Sequence, residues 1–410
     1  MKQFPNNLAE AIEWLSSFGA VGDGGVTRTL YSRPWLEAQH ALREWMEILG
    51  LETRFDSIGN LFGRLGAADS RSQTILVGSH IDTVISGGKY DGAYGVLAAI
   101  LALSQLKKKY SQPLLNLEVV SLCEEEGSRF PIACSGSGMM TGAYSFAGIN
   151  GVTDSEGIGF ETAMKEAGFG GDAENYKVRD DIHSFIELHI EQGPSLEKLA
   201  KSIGIVETIV GQKRFRMTVK GESNHAGTTQ MKWRKDALHG TVLMIHDLYE
   251  LAKTYDENLV TTVGQLHVEP NVSNVIPGQT VFTVDARHPV ELVLSTFCEG
   301  FTKRFLEIAS AHDLQIEMEM WHEVLPVQMD SNLNKRIQSI CTERAVSYHV
   351  MNSGAGHDAQ LFAQVCPATI MFVPSQGGIS HSPLEYTSPA ALEMGLDVLI
   401  ELLHELAYSK

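Results

Sequence analysis

The stretch GSHIDTVISGGKYDG, residues 78–92, decides how this chain is read. A short apolar run, QTILVGSH (73–80), leads into it and ends in His80. That is the pattern of a buried strand. Asp82 follows, then a glycine-rich loop, then Asp91, eleven residues after His80. Imidazole and carboxylate are metal-ligand types, and a plain turn needs neither in this number. The question is whether the rest of the chain supplies further ligands in equivalent places.

Several other segments carry the same grammar. LNLEVVSLC (115–123), HSFIELHI (183–190) and ATIMFVP (368–374) read as strands. GVLAAILALSQLKKKY (95–110) has helical length and ends in lysines, which suit a helix C-terminus. The chain closes on a long apolar-periodic helix, SPAALEMGLDVLIELLHELAYSK, and opens on an amphipathic one within MKQFPNNLAEAIEWLSSFG. Alternating strands and helices imply an α/β fold with a mixed, mostly parallel sheet flanked by helices. The middle differs. Strand 213–221, helix 234–254, strands 259–270 and 279–289, helix 290–312 and strand 314–323 give the order βαββαβ of a ferredoxin-like unit. The expected division is a first catalytic part, 1–210, an inserted α+β domain, 211–323, and a second catalytic part, 324–410.

In a parallel sheet, ligands gather at the carboxyl ends of strands. His80, Asp91, Glu125, Glu126, His189 and His381 each follow such a strand end. One carboxylate can bridge two cations about 3.5–4 Å apart, and Asp91 is placed to do so. The expected division has His80 and His189 on one cation and Glu126 and His381 on the other. Each cation then keeps an open position, as in catalytic sites. Asp82 could accept the other ring N–H of His80 and fix its tautomer. Glu125, beside Glu126 but turned elsewhere, becomes a general base. Any one of these residues alone would be a turn residue, a cap or a solvated charge. The argument rests on all of them following strand ends in one chain. Carboxylate and imidazole accept zinc, manganese or cobalt; two divalent cations, zinc or manganese, are expected.

Composition narrows the rest. The chain has 410 residues, 43% hydrophobic, with a formal net charge of −18. A nucleic-acid partner would call for an excess of Lys and Arg, and no apolar run is long enough for a membrane span. Five cysteines with no CxxC pair point to free thiols in the cytoplasm. GGVTRT (24–29), SGSGMM (135–140) and SGAGHD (353–358) match neither phosphate-loop fingerprint, and no G-x-S-x-G elbow occurs.

GSHIDTVISGGKYDG, EEEGSRFP (124–131), ELHIEQGP (187–194), GESNHAGTT (221–229) and SGAGHDAQ (353–360) together resemble the M20 metallopeptidase superfamily, within it the amidase, hydantoinase and carbamoylase branch. The resemblance runs the length of the chain. It implies a di-metal hydrolase domain and a ferredoxin-like lid that also forms a homodimer. It places the metal ligands on His80, Asp91, Glu126, His189 and His381, and the base on Glu125. It places substrate contacts on Gln212, His225, Asn274, Arg287, Ser353, Gly354, Gly356 and His357. These choices make physical sense. Arg287 offers a planar fork to a carboxylate. Asn274 can donate and accept, as a ureido group requires. His225 could donate to an oxyanion and so counts among the catalytic candidates. The implied partner is a small anionic ureido substrate, the implied reaction the hydrolysis of its C–N bond. Allantoate is the expected substrate and an N-carbamoyl-L-amino acid the alternative. A non-catalytic binding protein of the same fold is the remaining reading.

Overall fold

The structure is a computed structural model that describes residues 4–67, 69, 72–171 and 176–409. The chain divides into two compact units, Met1–Glu207 with Gln328–Lys410, and Thr208–Val327.

The larger unit is built on a mixed sheet. Its centre is four parallel strands in the spatial order Asn116–Leu122, Thr74–His80, Ile182–Ile190, Ala368–Val373. Every residue of Thr74–His80, Asn116–Leu122 and Ala368–Val373 is buried, as strands covered on both faces must be. The hairpin Glu52–Phe55 and Leu61–Leu65 extends one side antiparallel, and Ile203–Ile209 extends the other. These short strands and Tyr348–Ser353 were not legible as strands in the sequence. Helix Ala93–Lys109 packs on the sheet with the C-terminal helix Pro389–Tyr408 and the N-terminal helix Leu8–Ser16. Asn7 caps the N-terminal helix by accepting from the Glu10 N–H, and Leu8, Ala11, Ile12 and Leu15 form its buried stripe; the first three residues of the expected segment lie outside the described residues. No helix among the described residues is long and apolar enough to cross a membrane.

Two close approaches explain glycines in this unit. A Cβ on Gly78 would stand 1.9 Å from the Val120 carbonyl oxygen, and one on Gly95 would stand 2.3 Å from that of Leu188. The first lets the neighbouring strands pair, and the second lets helix Ala93–Lys109 lie against the sheet.

The smaller unit follows the order βαββαβ as an antiparallel sheet, Gln315–Val324, Gly211–Lys220, Gln279–His288, then two short strands, with helices Ala237–Tyr255 and Glu291–Ala311 on one face. The expected single strand 259–270 is instead Val260–Thr262 and Leu266–Glu269. Thr262 pairs with Asp285 and Leu266 with Phe282, so one extra residue on this side forces a bulge. Period-two alternation sorts the rest of the sheet. Phe215, Met217, Val219, Phe282, Val284 and Ala286 face the helices, where they meet Phe297, Phe301 and Phe305. Gln212, Arg214, Asp285 and Arg287 therefore lie on the opposite, open face.

Candidate metal centre

Because the four central strands of the larger unit run parallel, their carboxyl ends share one edge. His80 is the last residue of its strand and His189 the last but one of the neighbouring strand. Asp91 closes the loop between His80 and helix Ala93–Lys109, and Glu124–Glu126 follow the strand Asn116–Leu122. His381 lies on the turn after Ala368–Val373, with a positive φ of 52°.

These side chains converge. Asp91 Oδ1 lies 3.6 Å from His80 Nε2 and 3.1 Å from His189 Nε2. Asp91 Oδ2 lies 3.2 Å from His381 Nε2, which is itself 3.4 Å from Glu126 Oε2. Two groups able to hold a cation result: His80, Asp91 and His189, and Asp91, Glu126 and His381. The two oxygens of one carboxylate thus serve different groups. Glu125 Oε2 stands 3.7 Å from His80 Nε2, so consecutive glutamates reach different imidazoles of one cluster. The extended alternation that would separate them is replaced by a turn: Glu124 has a φ of 51°, and its Oε1 accepts from the N–H groups of Arg129 and Phe130.

The imidazoles are oriented from behind. His80 Nδ1 lies 3.0 Å from the carbonyl of Asp82, and His189 Nδ1 lies 2.9 Å from that of Ile190. A carbonyl only accepts, so each Nδ1 carries a proton and each Nε2, beside Asp91, is the nitrogen left to bind a cation. Asp82 meets the His80 ring through its backbone carbonyl. Its Oδ1 is 3.8 Å from His80 Nδ1, and its Oδ2 accepts the Glu126 N–H at 3.1 Å. The nearer acceptor for the ring is the carbonyl of the same residue, because the chain turns back on itself beyond the strand end. Gly92 completes the corner: with a φ of 63°, a Cβ there would lie 2.4 Å from His80 Nε2.

Electrostatics agree with the donor set. Burial pushes the carboxyl of Glu125 well above the ordinary range, and the charges of Glu126, Asp358 and Asp91 add to this. Burial, then Asp91, raises Glu126 to about 7. Burial, then Asp82, raises Glu124 to about 8, and burial, then Glu187, raises Asp358 to about 8. Burial alone would also raise Asp91, but the hydrogen bonds with His189, His381 and His80 hold it well below the usual range. So many buried carboxyl groups call for positive charge among them. Imidazole nitrogen and carboxylate oxygen, with no thiolate in either group, fit divalent cations such as zinc or manganese.

Other expected residues fall into separate places. His357 is buried in the larger unit, its ring centroid 4.7 Å from that of His189 and its Nε2 3.1 Å from Ser353 Oγ. Burial holds its imidazole pKa well down. Ser353 Oγ also donates to the Ala355 carbonyl, which fixes the turn that carries Gly354 and Gly356. In the smaller unit, Gln212 and Arg287 are cross-strand partners that share Asp285. Gln212 Nε2 donates to Asp285 Oδ2 at 2.8 Å, Arg287 Nε to Oδ1 at 2.8 Å and Arg287 Nη2 to Oδ2 at 3.0 Å. His225 and Asn274 lie on adjoining exposed segments, bridged at His225–Val275 and by the Ala226 N–H to the Asn274 carbonyl.

Four residues around the cluster escaped sequence reading. Gln192 Nε2 donates to Asp91 Oδ2 at 2.8 Å, and Glu187 accepts from Ser79 Oγ and the Ala359 N–H beneath His189. Ser380 and Glu385 bracket His381. Their signal lay in ELHIEQGP and in the Glu four residues after His381, which look like an ordinary strand end and an ordinary turn.

Comparison with known proteins places the chain among relatives. The chain is 48% identical to an allantoate amidohydrolase of Bacillus subtilis (strain 168) over 403 residues, 98% of each chain. It is 44% identical to an allantoate amidohydrolase of Escherichia coli (strain K12), covering 99% of each. A solved amidase of the hydantoinase/carbamoylase family from Burkholderia multivorans superimposes with a TM-score of 0.92 at 31% identity, over 97% of this chain and 96% of that one. Residues 76–405 match the model of Peptidase family M20/M25/M40, and the chain belongs to that family.

Proposed function

We propose that this chain hydrolyses a ureido C–N bond, with allantoate as the substrate. The likeness to two allantoate amidohydrolases over nearly the whole chain supports the substrate. The observation that carries the chemistry is the split of two adjacent carboxylates, Glu126 toward His381 and Glu125 toward His80. His80, His189 and Asp91 would hold one divalent cation and Asp91, Glu126 and His381 a second, whether zinc or manganese. When bound, such a pair lowers the pKa of water toward neutrality and polarises a carbonyl.

The protein's own groups supply the rest. Glu125 takes the proton of the attacking water as the new C–O bond forms at the ureido carbon. His225 donates to the oxygen that gains charge. Collapse breaks the C–N bond, and Glu125 returns its proton to the departing nitrogen. The carbamate released decays to carbon dioxide and ammonia, leaving a ureidoglycine-type product. Arg287 binds the substrate carboxylate through its planar fork, with Gln212, Asn274 and the turn Ser353–His357 contacting the polar arms. In this reading residues 211–323 act as a lid and as the contact of a homodimer, and the enzyme works in the cytoplasm.

Glu125→Gln tests the base. Turnover should fall by about three orders of magnitude or more, the upper part of the range for lost acid–base catalysis, while two metals per chain remain. Near-normal turnover would remove Glu125 from the mechanism. A parallel assay of allantoate and N-carbamoyl-L-amino acids tests the substrate, and preference for the latter would overturn it.

A further inference from the structure

We propose that Glu385 is the positioning residue that holds Asp91 and His381 at the spacing the second cation requires. The inference rests on the metal assignment above. Glu385 is four residues beyond His381 and nearly fully buried. Its Oε1 accepts the backbone N–H of Tyr90 at 2.9 Å and of Asp91 at 3.2 Å. Its Oε2 accepts Ser380 Oγ at 2.7 Å, and Ser380 Oγ is 3.4 Å from Asp91 Oδ2. One carboxylate therefore grips two loops almost 300 residues apart in sequence, the one that ends in Asp91 and the one that presents His381.

Two further observations show that the grip is built in. The turn that carries Glu385 closes on itself, with the Glu385 N–H donating to the Ser382 carbonyl, and is anchored to the end of strand Ala368–Val373, with the Gln376 N–H donating to the Tyr386 carbonyl. On the other side, a Cβ on Gly88 would lie 2.0 Å from Glu385 Oε1, so the glycine-rich loop presses its backbone against the carboxylate. His80 and His189 need no such carboxylate, and the Gly92 N–H donates directly to His189 Nε2 at 3.0 Å. Those two imidazoles are set by neighbouring strands and by the carbonyls behind them. His381 sits on a turn, is half exposed and depends on what holds that turn.

The consequence is selective. Loss of Glu385 should loosen the second cation and leave the first in place. Glu385→Ala, titrated with manganese(II) after metal removal, should bind its first equivalent as the unaltered chain does. Its second equivalent should be weakened about 100-fold, the upper end for an outer hydrogen-bond partner of a ligand. Glu385→Gln keeps an acceptor for Tyr90 and Asp91 and should restore the second equivalent to within a few-fold. Should Glu385→Ala fail to fold, Ser380→Ala removes only the tether to that carboxylate and should weaken the second equivalent about ten-fold. Equal weakening of both equivalents, or no change in either, overturns the proposal. An unaltered chain that binds no manganese overturns the metal assignment itself, which is a different result.

Discussion

The larger unit and the smaller unit hold their candidate residues in opposite ways. In the larger unit, His80, Asp91 and His189 are almost wholly buried where parallel strands end, with Asp91 3.6 Å from His80 and 3.1 Å from His189. Backbone carbonyls and a glycine without room for a Cβ hold them there. In the smaller unit, His225 and Asn274 are exposed and Arg287 is paired with Asp285 on an open sheet face. The first set is packed in the core and held by backbone hydrogen bonds. The second consists of two preformed pairs at the surface, and each can meet a ligand without unpacking a core. A metal centre needs fixed distances and a surface contact needs access, and the roles proposed for the two sets follow that difference.

The largest break in this comparison comes from Asp91→Ala. One change removes an oxygen from both candidate groups, so both equivalents of metal should be lost, and turnover with them. Metal analysis checks it. A variant that retained one tight equivalent would mean that the groups are independent and that Asp91 does not bridge. Arg287→Ala, in contrast, should leave the metal content at two and the turnover number nearly intact. KM should rise about 10–100-fold, since a charged hydrogen bond contributes roughly 1.5–3 kcal/mol. An equal fall in the turnover number would place Arg287 in the chemical step rather than in binding.

Much of the first region was legible in the sequence because its logic is topological. A ligand type after each strand end needs only a parallel sheet to bring the ligands together. That logic gave no account of what lies behind the ligands. Asp82 supplies a carbonyl rather than its carboxylate to His80, which depends on the fold of a loop and not on residue type. Glu124, the first of three identical residues, pins the turn that lets its two neighbours diverge. Glu385 looks like any acid in a proline-flanked loop until its distances to Tyr90 and Asp91 are known. The bulge between Thr262 and Leu266 was hidden for the same reason: the apolar pattern continues across a one-residue slip.

A smaller effect sharpens the binding side. Asp285 receives Gln212, Arg214 and both arms of Arg287. Burial would raise its pKa, but the bonds from Arg287 and Arg214 hold it below the usual range. Asp285→Asn keeps one acceptor and turns an amide toward the guanidinium, so Arg287 loses its alignment but not its charge. KM for the carboxylate substrate should rise about ten-fold, near the low end for a charged hydrogen bond. A ureido compound lacking the carboxylate should lose nothing further. If both suffer alike, Asp285 only braces the sheet.

The smallest expected effect is on stability, and it separates the two units by pH. In the metal-free protein Glu126 titrates at about 7, and Glu124 and Asp358 at about 8. His381 is raised to about 9, chiefly by its hydrogen bond to Asp91. In the unfolded chain the carboxyl groups release their protons near pH 4 and the imidazole near 6.5. Between those values and pH 7–9 the folded protein binds more protons than the unfolded one. Stability contributed by these groups is therefore full at low pH and lost as pH rises through the window. Metal-free protein should melt several degrees lower at pH 8.5 than at pH 6. Divalent metal should restore more at pH 8.5, because the cation then supplies the positive charge that protons no longer do. Asp285 works in the other direction. Its lowered pKa contributes stability above the ordinary carboxylate value that is lost only on acidification, so it is silent across this window. A melting temperature independent of pH from 6 to 9 without metal would mean that the buried carboxyl groups are satisfied by the protein alone, and the electrostatic case for cations at this centre would fail.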